Sequence, residues 1–289
     1  MKLRVISDLH VEFYSSAFYL KSKLDKMFKD DEITDDEILI IAGDLGVAGS
    51  GKENSMNPEY KYMLEYFSKK WKRVILIPGN HEYYDRDKSR SLEEVDTMID
   101  KECKKLGITF LNKNYVILEE SEEGLEESKE GLFESKDRYA ILGCTLWSEA
   151  TKEAYLNMND RLKAILSHKE LLQTHNVHKT WLKKTLQSLS KKGIKTIVAT
   201  HHLPLMELTH PKYLKPKHKH LNSAYASKLN TFFEDLQSSD LSKNVLFYCC
   251  GHTHEKTETT LYDIDFLINP MGYPREKKKT KFRVECVHI

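Results

Sequence analysis

Five short polar clusters punctuate this chain, each just after an apolar, β-branched run: SDLH at 7 to 10, GDL at 43 to 45, GNHE at 79 to 82, THH at 200 to 202 and GHTH at 251 to 254. A short apolar run that ends in Gly or Asp reads as a buried strand emerging at one edge of a sheet. The clusters therefore deliver Asp8, His10, Asp44, Asn80, His81, His201, His202, His252 and His254 to a common rim. These are the oxygen and imidazole donors needed to hold two divalent ions, with a histidine to spare for chemistry.

Further strand-like runs lie at 114 to 118, 139 to 144, 266 to 269 and 281 to 289, and helical patterns at 58 to 71, 90 to 106, 159 to 190 and 223 to 238. Strands and helices by turns, then a strand-rich C-terminus, predict a layered α/β fold in which a β-sandwich of two mixed sheets is flanked by helices. No Pro/Gly/Ser-rich linker divides the 289 residues, so a single domain over 1–289 is expected. The acidic, low-complexity stretch at 119 to 137, EESEEGLEESKEGLFESKD, reads as a solvated hairpin insertion.

Lys and Arg number 45 against 44 Asp and Glu, and a formal charge of +1 creates no global attraction to nucleic acid or anionic membranes. Any affinity for phosphate must be local. The five cysteines lack the paired spacing of a zinc knuckle or disulfide scaffold and fit reduced thiols in a cytoplasmic protein. KLRVISDLH runs straight from residue 2 into the first cluster, so no cleavable leader is expected. No stretch approaches the roughly 18 uninterrupted apolar residues of a membrane span.

Asp8 and His10 are two apart, so on a continuing strand they face one side and reach one ion. Asp44 follows Gly43, which permits a close approach at the sheet edge, and a carboxylate there can bridge two ions. Equal spacings separate Asp8 from Asp44 and Asp44 from Asn80, as expected of successive βα units. Asn80 offers a neutral oxygen, and His81 is expected to point away, toward a phosphate. His252 and His254 repeat the same-face logic after LFYCC.

The order DxH, GD, GNH[DE], His after a strand, and GHxH resembles the calcineurin-like metallophosphoesterase superfamily, and it runs from residue 8 to residue 254. The resemblance implies one ion on Asp8, His10, Asp44 and His254 and another on Asp44, Asn80, His201 and His252, with His81 catalytic. His201 and His202 compete for one ligand role; the resemblance favours His201, which leaves His202 facing substrate. LGCTLW at 142 to 147, MNDR at 158 to 161 and NPMGYP at 269 to 274 are similar to blocks of an uncharacterised phosphoesterase subgroup, which usually has Arg where this chain has Met271.

The implied activity is hydrolysis of a phosphoester, as phosphatase or phosphodiesterase, by a hydroxide bridging two divalent ions (Mn, Fe or Zn), with His81 as catalytic group and a small phosphorylated molecule as substrate. The alternative is a catalytically silent scaffold acting through protein partners, as in a retromer subunit similar to this superfamily. GVAGSGK at 46 to 52 mimics a phosphate-binding loop, but Glu53 stands where Ser or Thr would bind Mg²⁺. The segment HPKYLKPKHKH at 210 to 220 is a candidate basic wall beside the substrate, while His168, His175, His178, His218 and His220 read as surface residues.

Overall fold

The computed structural model describes residues 1–29, 33–49, 55–84, 89–119, 138–164, 166–276, 282 and 286–288. Its strands are β1 (Lys2–Ile6), β2 (Glu37–Ala42), β3 (Arg73–Ile77), β4 (Thr109–Phe110), β5 (Asn114–Glu119), β6 (Arg138–Cys144), β7 (Lys195–Thr200), β8 (Val245–Cys250), β9 (Thr257–Leu261), β10 (Ile264–Ile268) and β11 (Cys286–His288). Its helices are α1 (Ala17–Met27), α2 (Pro58–Lys70), α3 (Leu92–Lys105), α4 (Lys152–Asn157), α5 (Asp160–Lys163), α6 (His168–Lys191), α7 (Pro216–Lys219) and α8 (Asn230–Ser238).

The strands form two mixed sheets. One runs β11-β1-β2-β3-β4, parallel except for β11; the other runs β5-β6-β7-β8-β10-β9, with antiparallel strands at both edges. Side chains alternate across a strand, so each strand supplies two cores. Leu3, Val5, Ile38, Ile40 and Ile75 of one sheet meet Ile141, Ile197, Phe247, Cys249 and Leu267 of the other. On the outer faces, Leu24, Leu64, Phe67 and Ile99 cover Leu39, Ile41 and Leu76, while Leu182, Leu186, Phe233 and Leu236 cover Leu142, Val198 and Tyr248. This is the α/β fold expected. Burial on both faces also explains why β2 and β3 read as continuous apolar runs rather than alternating ones.

Some boundaries differ from the sequence reading. The helical pattern at 159 to 190 is two helices, because Ser167 starts α6 with a capping box: its hydroxyl accepts from Glu170 N at 3.3 Å and its N–H donates to Glu170 Oε2 at 2.8 Å. The pattern at 223 to 238 becomes a short turn and then α8, which begins at Asn230. Helices α1, α4 and α7 and strands β4 and β9 are not evident in the sequence pattern; β9 is TETTL, too polar to register as a buried strand. Residues 120–137 of the acidic stretch and Lys52 lie outside the described residues. Among the described residues no helix is long and apolar enough to cross a membrane.

Because β1, β2 and β3 are parallel, as are β7 and β8, their C-terminal ends share one rim. Away from that rim, Arg4 Nε meets Glu37 Oε2 at 2.5 Å, with both side chains buried. Removing one partner of a buried pair takes that compensation from the other charge, which typically costs about 3–5 kcal/mol. Glu37→Ala is therefore expected to lower stability by about that much, read from the denaturant midpoint at unchanged slope; a wild-type midpoint would show that the pair contributes nothing.

Candidate metal centre

The clusters leave their strands through sharp backbone turns. Asp8, His10, Asp44, His252 and His254 all have positive φ, between 50° and 73°. Non-glycine residues rarely adopt this region, and such strain persists only where the surroundings enforce it. Here the turns are stitched to one another: Asp8 N donates to Gly43 O at 3.0 Å, His10 N to Asp44 O at 3.0 Å and Gly251 N to His201 O at 2.9 Å. His252 N donates to both Asp8 oxygens at 3.0 Å.

Two glycines are needed for these approaches. A Cβ on Gly79 would fall on the Asp44 carboxylate, and one on Gly43, at φ +86°, would strike the His201 imidazole.

Glu82 does most of the tying. Its buried carboxylate accepts backbone N–H groups from Asp44 (3.0 Å), Leu45 (2.8 Å) and Gly79 (2.6 Å), joining the turns after β2 and β3. Burial, together with nearby Asp44, pushes Glu82 up to about 8, whereas the backbone donors favour its charged form.

Seven donor atoms then converge in two groups. In the first, His10 Nε2 lies 2.9 Å from His254 Nε2, 3.9 Å from Asp8 Oδ1 and 3.7 Å from Asp44 Oδ2. In the second, His201 Nε2 lies 3.1 Å from Asn80 Oδ1, 3.2 Å from His252 Nδ1 and 3.3 Å from the same Asp44 Oδ2. The other Asp44 oxygen accepts from His81 N at 2.8 Å. A single Asp44 oxygen therefore faces both groups, rather than one oxygen facing each.

The tautomers follow from the outer partners. His10 Nδ1 faces Glu12 Oε1 at 3.3 Å, His254 Nδ1 faces Glu276 Oε1 at 3.0 Å, and His201 Nδ1 faces Ala42 O at 2.9 Å. Each outer atom is an acceptor, so each Nδ1 carries a proton and each Nε2 is turned inward, open to a proton or a metal ion. The Nε2 atoms of His10 and His254, 2.9 Å apart, need a proton or a metal ion between them. Asn80 is turned the same way, because its amide nitrogen donates to Tyr84 Oη at 2.9 Å and Asp160 Oδ1 at 2.8 Å, leaving its oxygen for the site. A histidine, carboxylate and amide set oriented by outer partners fits divalent ions.

Burial opposes charge throughout, but neighbours override it at several positions. Asp44 pushes His201 up to about 10, and the Asp8 and Glu276 carboxylates push His254 up to about 9. Burial and the charge on His201 take His252 down to about 3. His81 is also raised, by Asp44 and by a 2.6 Å contact of its Nδ1 with Glu12 Oε1. Its Nε2 lies 3.5 Å from Tyr273 Oη, and the ring lines a cavity of about 210 Å³ together with Asn80, Asp44 and His252.

The structure thus brings together Asp8, His10, Asp44, Asn80, His81, His201, His252 and His254. His202 stands behind them: it is fully buried, its Nδ1 faces Thr145 O at 3.3 Å, and its ring is sandwiched between Trp147 and His252, with centroids 5.5 and 4.1 Å away. His175 and His178 are buried as well, not on the surface. His178 Nδ1 accepts from Leu146 N at 3.1 Å and His175 Nδ1 donates to Leu146 O at 3.1 Å, fixing the left-handed turn that carries Trp147. In the 210 to 220 segment the residue that reaches the cavity is Tyr213, and Lys212 pairs with Glu255 instead.

Sequence reading missed the supporting carboxylates Glu12, Glu82, Asp160 and Glu276. All four stood inside or beside quoted motifs: Glu12 two residues after His10, Glu82 in GNHE, Asp160 in MNDR and Glu276 two residues after NPMGYP.

Residues 1–256 match the family described as calcineurin-like phosphoesterase, and the chain belongs to that family. It is a metallophosphoesterase-type hydrolase with buried His/Asp groups suited to metal. Uncharacterized protein L509 of Acanthamoeba polyphaga mimivirus is 26% identical over 291 residues, covering 95% of this chain and 92% of that protein. Among solved structures, the phosphopantetheinyl hydrolase PptH of Mycobacterium tuberculosis superposes with a TM-score of 0.63 at 16% identity, covering 95% of this chain and 90% of that one. GAP50, the anchor in the inner membrane complex of Plasmodium, gives 0.55 at 12% identity over 100% of this chain and 77% of that one. At these identities the structural likeness establishes the fold.

Glu82→Gln is expected to turn an NH₂ group toward the N–H groups of Asp44 and Gly79, costing about 1–3 kcal/mol and loosening the metal site. Urea unfolding and the metal retained after dialysis check this; wild-type values in both would remove Glu82 from its clasping role.

Proposed function

We propose that this chain hydrolyses phosphoesters with two divalent ions, one held by Asp8, His10, Asp44 and His254, the other by Asp44, Asn80, His201 and His252. The observation that carries this is the pair of inward-facing donor groups meeting at Asp44 Oδ2, with the Nε2 atoms of His10 and His254 2.9 Å apart. When bound, such ions make hydroxide available near neutral pH and offset the charge that builds on phosphoryl oxygens. Mixed nitrogen and oxygen donors suit Mn²⁺, Fe or Zn²⁺.

The chain's own groups supply the rest. Glu12 fixes the His81 ring through Nδ1, which leaves Nε2 at the cavity wall, where it can give a proton to the departing alkoxide or hold the phosphoryl group. Asp160 and Tyr84 keep the Asn80 oxygen inward. His202 acts as a packing support for His252 rather than as a substrate contact, because it is buried behind that ring.

We take the substrate to be a small phosphorylated molecule, and the working unit to be one cytoplasmic domain with free thiols. Cys103, Cys144, Cys249 and Cys250 are buried and unpaired in disulfides, in keeping with that compartment. The LGCTLW, MNDR and NPMGYP blocks support the narrower subgroup kinship. A silent scaffold is not favoured, since every candidate ligand and His81 is retained.

A general acid typically contributes about 10²- to 10⁴-fold, so His81→Ala should lower kcat by that factor while two ions per chain remain bound. Steady-state kinetics on mono- and diester chromogens, with metal analysis of the same samples, decide the matter. Unchanged kcat would remove His81 from the mechanism, and inactivity of the wild-type loaded protein on every ester would favour the scaffold.

A further inference from the structure

Strand β10 ends at Ile268, and the NPMGYP block that follows, residues 269 to 274, is sewn onto the loop of the first polar cluster. Ser7 N donates to Asn269 O at 3.2 Å, Met271 N to Ser7 O at 2.9 Å and Gly272 N to Asp8 O at 2.8 Å. The Asn269 amide adds a bond to Val5 O at 2.9 Å. The backbone turns at Gly272, with φ +71°, and delivers Tyr273 to the cavity wall. Tyr273 N donates to Glu276 Oε2 at 3.0 Å, and the same carboxylate faces His254 Nδ1. The Tyr273 ring packs against His10, His254 and Phe13, with centroids 4.5, 4.4 and 4.8 Å away. Backbone and ring alike therefore tie this side chain to the metal-binding residues.

That fixing leaves the Tyr273 hydroxyl 3.5 Å from His81 Nε2. The separation is at the outer edge of hydrogen bonding, so the two groups satisfy each other poorly. Both residues line the cavity that Asp44, Asn80 and His252 also line. An oxygen about 2.8 Å from each of the two atoms, an ordinary hydrogen-bond length, closes a triangle with them. A phenol keeps its proton at neutral pH, so Tyr273 is available there as a donor. The Tyr84 hydroxyl differs. Its ring also stands against His81, at 4.2 Å, but its oxygen already accepts from the Asn80 amide at 2.9 Å.

Resting on the phosphoesterase reading of the site, we propose that Tyr273 is a further catalytic residue, whose hydroxyl donates to a phosphoryl oxygen beside His81. Donors held rigidly where charge builds need no rearrangement during the reaction, which is what makes them effective. The stitching of residues 269 to 272 onto residues 5 to 8 supplies that rigidity.

Tyr273→Phe keeps the ring and removes the hydroxyl. The test compares this variant with wild-type protein, both Mn²⁺-loaded, in steady-state hydrolysis of 4-nitrophenyl phosphate and bis(4-nitrophenyl) phosphate and in calorimetric titration with tungstate, a tetrahedral oxyanion that binds without turnover. A hydrogen bond to a charged group typically contributes about 10- to 150-fold. The variant is expected to keep two ions per chain, to lose about that factor in kcat/KM and to bind tungstate at least about 10-fold more weakly. Unchanged kcat/KM, unchanged tungstate affinity or loss of metal from the variant would each overturn the assignment and leave the phosphoesterase reading in place. Wild-type protein that binds tungstate but hydrolyses neither ester sinks the phosphoesterase reading, and the tungstate comparison alone then decides whether the hydroxyl meets an oxyanion. Wild-type protein that binds no tungstate overturns both.

Discussion

The clasp made by Glu82 is the interaction on which the rim depends. Strands β2 and β3 end side by side, and each must turn sharply to bring Asp44 and Asn80 inward. A turn of this kind leaves backbone N–H groups without strand partners, and burying them unpaired is costly. One carboxyl group takes the N–H groups of Asp44, Leu45 and Gly79 together, which is why an ionisable side chain sits in a fully buried position. With those turns held, Asp44 is fixed between two histidine groups, and the left-handed backbone at Asp8, His10, His252 and His254 is locked by the neighbouring stitches.

From that frame follows a site that is electrostatically unfinished. The outer acceptors Glu12, Glu276 and Ala42 O set three imidazoles with Nε2 inward, beside the acids Asp8 and Asp44. Such an arrangement favours positive charge at its centre, whether protons or metal ions. Glu12 serves twice, since it faces both His10 and His81, so one carboxylate orients a metal-facing imidazole and the group assigned to proton transfer.

Much of this was legible because the relevant residues occupy short motifs at strand ends. Runs such as ILIIA and RVILIP announce strands buried on both faces, and the polar residue after each marks the rim. What could not be read was the second layer of partners. Glu82 and Asp160 look like ordinary charged residues until the backbone N–H groups and the Asn80 amide they serve are brought to them. His175 and His178 carry helical spacing that does not reveal which face is buried, and only the left-handed turn at Leu146 and Trp147 gives them work. His202, expected to face substrate, instead lies buried against the rings of Trp147 and His252, a packing that its place in the sequence does not reveal. Helix α1 escaped because Phe18 and Tyr19, apolar but exposed, stand between the buried Ala17 and Leu20 and blur the apolar stripe.

The central claim is that seven side chains hold two cations that meet at one oxygen of Asp44. Anomalous diffraction from crystals of Mn²⁺-loaded protein tests it directly. The account predicts two peaks, one enclosed by Asp8, His10 and His254 and the other by Asn80, His201 and His252, with Asp44 Oδ2 within coordination distance of both. A single peak, or a pair not shared by Asp44, would contradict it.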